Sequence, residues 1–278
     1  MDWRNLGQRV IVGVIFIPVI LFASWYGKQA FLLLLEVIIG VALIEFYDLA
    51  KNKNVQPQRE VGILGGLGLV PLMYSGNADK VWLLFMSMVV LLLLIELFRK
   101  PSPNGSPLLN VATTVFGAAY VAGLLSFLML IREMPRVTGG DYAHTGTWLV
   151  MIFVTIWICD TAAYFVGLGF GKHKLYERVS PKKTWEGAIG GLIFAVLAAL
   201  ACHATFVKGL RVIDAAIIGV LAGTVGQMSD LVESLFKRDA GVKDSSVLIP
   251  GHGGILDRFD SEMLVAPLVY FYLLVVGV

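Results

Sequence analysis

Apolar runs of membrane-spanning length recur along this chain, and no other feature limits its fold so severely. FLLLLEVIIGVALI (31–44), VWLLFMSMVVLLLLI (81–95) and LIFAVLAALA (192–201) typify them. A spanning helix needs about 20 mostly apolar residues. Nine helical spans can be read on that basis: roughly Val10–Ser24, Phe31–Leu49, Val61–Tyr74, Val81–Phe98, Leu109–Ile131, Leu149–Leu168, Ala188–Phe206, Val212–Met228 and Met263–Val278. The third and last are short. The first follows Arg4 and Arg9 as a signal peptide would, but it lacks a small-residue cleavage site and reads as an anchor. With 57% hydrophobic residues, 15% charged residues and a mean hydropathy of +0.78, the chain is neither disordered nor an ordinary soluble domain. The expected fold is an all-α, polytopic integral membrane protein of about nine helices.

The formal charge of +2 is too small to suggest a nucleic-acid partner. Where the charges fall is more informative. With the N-terminus in the cytoplasm, sixteen of the 22 basic residues fall in inner segments, as the positive-inside rule demands. Two polar loops, His173–Glu186 and Ser229–Ser261, then face the cytoplasm. Residues 1–135 read as a scaffold of helices, lipid-facing or dimer-forming, and residues 136–278 as the region carrying a polar site. Small-residue helices such as Ala188–Gly191 and Gly219–Gly226 suggest close helix packing and allow a homodimer. Trp25, Trp82, Trp148 and Trp185 sit near span ends, where interface anchors belong. Cys159 and Cys202 lie in apolar runs and read as small buried hydrophobes. Four scattered histidines argue against a zinc cluster.

Polar residues gather in three places. In SDLVESLFKR (229–238), Asp230, Ser234 and Lys237 lie at i, i+4 and i+7, with Glu233 beside them, so one helix face turns polar as it leaves the membrane. An acid at the bilayer centre costs roughly 2.5–3.5 kcal/mol, less near the interface. Beyond it, Lys243-Asp244 leads to Pro250-Gly251-His252-Gly253-Gly254 and then Asp257-Arg258-Phe259-Asp260. Glycines let backbone approach a ligand and aim successive N–H groups at an anion. Asp257 and Asp260 open the last helix and can face one ligand; hard oxygen donors of this kind suit Mg²⁺. An ordinary glycine turn followed by acids at a helix N-terminus would explain the acids, but not the flanking Lys237, Arg238, Lys243 and Arg258. His252 suits a phosphate, a metal or a structural role.

The second place is SPKKTWEG (180–187). Ser180-Pro181 fits an N-cap followed by Pro at the first helical position, which would put Lys182 and Lys183 in the first turn. Cations there oppose the helix dipole unless an anion is bound, which favours a phosphate. The third is Asp160 in WICDTAAY, inside the sixth span and leading into the lysine loop; an acid so placed is a functional candidate. Glu36, Glu45, Asp48 and Glu96 also lie in or near spans, without a clustered motif, and read as packing or helix-end residues.

Taken together, SLFKR, KD and PGHGGILDRFD, with SPKKTWEG and CDTAAYFVG upstream, resemble the signature of the phosphatidate cytidylyltransferases (CDP-diacylglycerol synthases). The resemblance covers about Trp157 to Ser261. It implies a membrane-embedded nucleotidyltransferase joining CTP to phosphatidic acid, with CDP-diacylglycerol and pyrophosphate as products. It also implies a divalent cation, usually Mg²⁺, with a monovalent ion such as K⁺ nearby. Metal binding is thereby carried to Asp230 and Asp257, with Asp160 and Asp260 in support, and nucleotide phosphate binding to Lys182, Lys183, Lys237 and Arg238. Ser180, Lys243, His252, Gly253, Gly254 and Arg258 complete the expected substrate-binding set. Such a site belongs at a bacterial inner membrane, facing the cytoplasm. The competing readings are an ion-coupled transporter, which intramembrane acids and glycine-rich helices also fit, and cytidylyl transfer to an ether-lipid phosphate.

Overall fold

The computed structural model describes residues 3–100, 106–246 and 253–277. Its first helices are α1 (Trp3–Tyr26), α2 (Lys28–Lys51), α3 (Arg59–Tyr74) and α4 (Ala78–Phe98). Next come α5 (Pro107–Gly117) and α6 (Leu124–Arg132), joined by a π turn at Ala118–Gly123, and the short α7 (Pro135–Thr138). Helix α8 (Tyr142–Phe170) leads to strands β1 (Lys174–Tyr176) and β2 (Ser180–Thr184), then α9 (Trp185–Thr205). Helices α10 (Val212–Leu221) and α11 (Gln227–Asp239) flank a second π turn at Ala222–Gly226, and α12 (Leu256–Val276) ends the chain. Among the described residues, seven helical stretches are long and apolar enough to cross a membrane, which makes the chain an all-α polytopic membrane protein. The expected first and third spans also fall on helices, but Gly13–Tyr26 and the 16-residue α3 are shorter than that length.

The chain divides into two compact units. The first comprises Lys28–Leu130 and Phe236–Arg258 with the first half of α1. Here α2 and α3 pack on one another and on the helix containing the first π turn. Phe46, Phe116, Tyr120 and Phe236 form an aromatic cluster, with Phe116 stacked on Tyr120 and Phe236 edge-on to both; Phe46 and Tyr120 are buried and Phe116 is at its exposed edge. Tyr47 donates its hydroxyl to the Thr114 carbonyl at 2.8 Å. Glu96, in the last turn of α4, accepts from Gln58 Nε2 (2.8 Å), Asn110 Nδ2 (2.7 Å) and, at 3.4 Å, the Arg99 guanidinium, so this acid is held as a packing residue. Helix α4 leaves Leu83, Leu93, Leu97 and Phe98 exposed, as a lipid-facing helix should.

The second unit comprises Ile17–Gly27, Ile131–Leu235 and the rest of α12 from Phe259. Its centre is a seam of small residues between α8, α9 and the α10–α11 helix. A Cβ on Gly223 would stand 2.8 Å from Leu192 Cα, and one on Gly219 2.7 Å from Val196 Cα. Glycine alone permits that approach. Gln227 donates its amide to the Ala188 carbonyl at 3.0 Å, joining α11 to α9 beside the second π turn. At the far end, Arg132 is 1% exposed and binds the last carbonyls of α1: Ser24 at 2.9 Å, Trp25 at 2.9 Å and Tyr26 at 3.2 Å. Its remaining N–H groups reach Tyr142 O at 2.8 Å and Thr145 Oγ1 at 2.9 Å, while the guanidinium lies over the Tyr142 ring. One fork thus satisfies carbonyls that a helix end leaves open.

One expectation meets a local correction here. Trp25, Trp82 and Trp185 are exposed, as interface anchors should be, but Trp148 is 4% exposed and donates its indole N–H to the Lys208 carbonyl at 2.7 Å. It is a core residue. Cys159 and Cys202 are free, buried thiols, as their apolar settings suggested.

Candidate active site

SPKKTWEG does not begin a helix at Ser180. Residues 180–184 form β2, antiparallel to β1, with Lys174 opposite Thr184 and Tyr176 opposite Ser180. The N-cap of α9 is Thr184, whose Oγ1 accepts the Gly187 N–H at 3.1 Å. Ser-Pro and Thr-Trp-Glu both carry helix-opening chemistry; the helix starts at the second, with Glu186 in its first turn, where an acid is favourable. That carboxylate also accepts from the backbone N–H groups of Lys172 (3.1 Å) and His173 (3.2 Å), tying the hairpin's entry to the helix. Lys182 and Lys183 consequently lie on an extended strand, where neighbouring side chains point to opposite faces. Lys182 is exposed. Lys183 reaches Asp230 Oδ2 at 2.5 Å, an ion pair with about a quarter of each side chain exposed (26% and 28%). Ser234 Oγ donates to the other Asp230 oxygen at 3.3 Å, so the helix spacing of these two residues is realised on α11.

The same unit holds a group of acids. The charge neighbours of Asp260 are the carboxylates of Asp230, Glu233, Asp160 and Glu262. Ser229 Oγ donates to the Asp260 carbonyl, fixing α12 against α11. Asp160 is exposed on α8. Glu262 is 1% exposed, and neither of its carboxylate oxygens has a hydrogen-bond partner. No three of the described acids, histidines or cysteines form a ready-made metal cage. An all-oxygen set with an orphaned carboxylate fits Mg²⁺, which takes one or two carboxylates and completes its shell with water and phosphate oxygens.

The glycine stretch is organised within the first unit. Asp257 accepts from Lys237 Nζ at 2.6 Å, Ser245 N at 3.0 Å, Ser245 Oγ at 2.9 Å and Gly254 N at 2.7 Å. The Lys237 and Asp257 side chains are 10% and 8% exposed. Gly253 adopts a φ of +78°, a conformation that side-chain-bearing residues rarely take. Arg238 donates to the Val242 carbonyl at 2.9 Å and closes the turn after α11. Lys243 and Arg258 are exposed. His252 lies outside the described residues.

Sequence reasoning missed Glu45, which it read as a packing or helix-end acid. The residue is 3% exposed on α2 and accepts from Ser245 Oγ (3.1 Å), Ser246 Oγ (2.5 Å), Ile255 N (3.1 Å) and Leu256 N (2.8 Å). It also missed Ser245 and Ser246. The only signal was indirect: an acid inside a mostly apolar helix must have donors somewhere.

The Cytidylyltransferase family matches this chain over residues 7–276. A phosphatidate cytidylyltransferase of Bacillus subtilis (strain 168) is 34% identical over 271 residues, covering 97% of this chain and 98% of that protein. A phosphatidate cytidylyltransferase of Staphylococcus saprophyticus is 32% identical over 277 residues, and one of Staphylococcus aureus (strain COL) 31% identical over 277, each covering 99% of both chains.

Proposed function

The chain belongs to the cytidylyltransferase family and is a membrane-embedded nucleotidyltransferase, and we propose that it makes CDP-diacylglycerol from CTP and phosphatidic acid. The observation that carries the proposal is a repeated device. Each unit holds a functional aspartate in an ion pair with a lysine distant in sequence, Lys183 with Asp230 and Lys237 with Asp257. A triphosphate presents anions to such lysines, and its counter-cation offers the aspartates a replacement partner.

In the reaction, a phosphatidate oxygen attacks the α-phosphorus of CTP. A new P–O–P linkage forms, the bond to the β-phosphate breaks, and pyrophosphate leaves. Phosphatidate is already ionised near neutral pH, so the chain need not supply a general base. Its task is to bring two polyanions together in line and to offset the charge that develops on the leaving group. In the second unit Lys182 and Lys183, with Ser180, are the candidates for nucleotide phosphate binding; in the first unit they are Lys237 and Arg238, with Lys243 and Arg258. His252 is a further candidate. Gly253 and Gly254 let backbone approach the ligand. Mg²⁺, when bound, would be held by Asp230 with Asp160 and Asp260 in one unit and by Asp257 in the other, and would polarise phosphoryl oxygens as a Lewis acid. A monovalent ion such as K⁺ is a second candidate for these carboxylates. The lipid enters from the bilayer and CTP from the cytoplasm.

The test uses purified full-length protein in lipid nanodiscs with labelled CTP, phosphatidic acid and Mg²⁺, measuring lipid-soluble cytidine and released pyrophosphate in equal amounts. Absence of any CTP-dependent lipid product, with ion-driven solute uptake by the same protein in vesicles, would overturn the proposal in favour of a transporter.

A further inference from the structure

Glu45 stands on α2, a helix of the first unit that is otherwise almost wholly apolar around it. A carboxylate there is costly unless it is fully engaged. Its four donors come from two short segments, Ser245-Ser246 on one side of the glycine stretch and Ile255-Leu256 on the other. The Ile255 and Leu256 amides belong to the opening of α12, where helical N–H groups have no partner of their own. One side chain, 200 residues from Ser245, therefore clamps both segments.

The clamp extends to Asp257. Ser245 Oγ lies 3.1 Å from Glu45 Oε2 and 2.9 Å from Asp257 Oδ2. A hydroxyl carries one proton, so these two carboxylates share one donor and the position of either constrains the other. Gly254 completes the arrangement. Its N–H binds Asp257, and a Cβ there would overlap the Ser245 hydroxyl and the Glu45 carboxylate.

We propose that Glu45 is a positioning residue for cytidylyl transfer, setting the orientation of Asp257 through Ser245 and the first amides of α12. The inference rests on the reading of Asp257 as a residue of the reaction. In this role Glu45 acts on the reaction only through the groups it holds. Misplacing a reacting group by about 1 Å costs on the order of a hundredfold in rate.

Four full-length variants in nanodiscs test it: Glu45→Gln, Ser245→Ala, the double variant and Asp257→Asn. Glu45→Gln keeps the shape and one acceptor, so it should fold. Its kcat should fall roughly a hundredfold with KM for phosphatidic acid unchanged, and the Ile255 and Leu256 amides should exchange at least about tenfold faster with deuterium. A merely structural role would reduce the amount of folded protein, not turnover per folded molecule. Because Glu45 acts in part through Ser245, the loss in the double variant should fall well short of the product of the two single losses. Wild-type kcat in folded Glu45→Gln, unaltered exchange at Ile255 and Leu256, or multiplying losses in the double variant would each overturn the proposal while inactive Asp257→Asn left the reading of Asp257 standing. Wild-type turnover by Asp257→Asn would overturn that reading, and the positioning role with it.

Discussion

The Lys237–Asp257 pair can be dissected by a double-mutant cycle, because the structure gives its two partners unequal surroundings. Lys237→Met removes one charge-assisted bond of 2.6 Å but leaves Asp257 with Ser245 N, Ser245 Oγ and Gly254 N as donors. That loss should cost about 1.5–3 kcal/mol, the range for hydrogen bonds to charged groups. Asp257→Asn leaves an ammonium that is only 10% exposed facing a neutral amide. Breaking a buried pair from one side costs about 3–5 kcal/mol. In the double variant neither side of the pair is left facing a replaced partner, so the total should fall short of the sum by about 1.5–3 kcal/mol, or roughly 10- to 150-fold in the unfolding equilibrium. Unfolding in mixed micelles of rising SDS mole fraction, followed by far-ultraviolet circular dichroism, measures all four corners. Singles that add to the double within about 0.5 kcal/mol would refute the reasoning. They would mean that Lys237 and Asp257 do not depend on each other in the folded protein.

Lys183→Gln should leave stability within about 1 kcal/mol, since its pair with Asp230 is partly exposed; the same variant should lose at least about a hundredfold in kcat/KM for CTP, and wild-type kinetics would remove Lys183 from the site. Arg132→Met should cost about 3–5 kcal/mol by stranding the carbonyls of Ser24, Trp25, Tyr26 and Tyr142, and Arg132→Lys should restore little of it, because an ammonium lacks the planar fork; SDS titration of both variants checks this. Gly223→Val should force α9 and the second π turn apart and lower the yield of folded protein, whereas Gly169→Ala, with nothing within 4 Å of the new Cβ, should be neutral or stabilise α8 by up to about 1 kcal/mol. Thermal melts of the two in detergent separate them, and equal behaviour would show that the seam tolerates side chains.

Length and hydropathy were enough to place helices on every expected span, because a membrane helix is specified by its own run of residues. The polar helix of Asp230 and Ser234 was equally legible, since its spacing is local. The hairpin before α9 was not. Ser180-Pro181 and Thr184-Trp185-Glu186 both carry helix-start chemistry, and only the bonds of Glu186 to Lys172 and His173 decide between them. The two π turns leave no mark on a 3.6-residue pattern short enough to read. Glu45 was beyond reach for a different reason: its donors are about 200 residues away, and no local spacing encodes a tertiary contact.

The glycines of this chain answer to two unrelated demands. In the seam, Gly219 and Gly223 are required by helix backbones pressing on them from α9. Between membrane helices there is little hydrophobic drive, so close van der Waals contact must supply the attraction. At Gly254 the space is claimed by polar atoms, the Ser245 hydroxyl and the Glu45 carboxylate, and the glycine amide is itself a donor to Asp257. A larger residue in the seam would loosen packing and leave the charges as they are. A larger residue at 254 would separate one carboxylate from its donors while the apolar core stayed intact. The acid–glycine–base pattern therefore follows from holding negative charge at the edge of a low-dielectric medium, where each carboxylate needs several donors gathered around it.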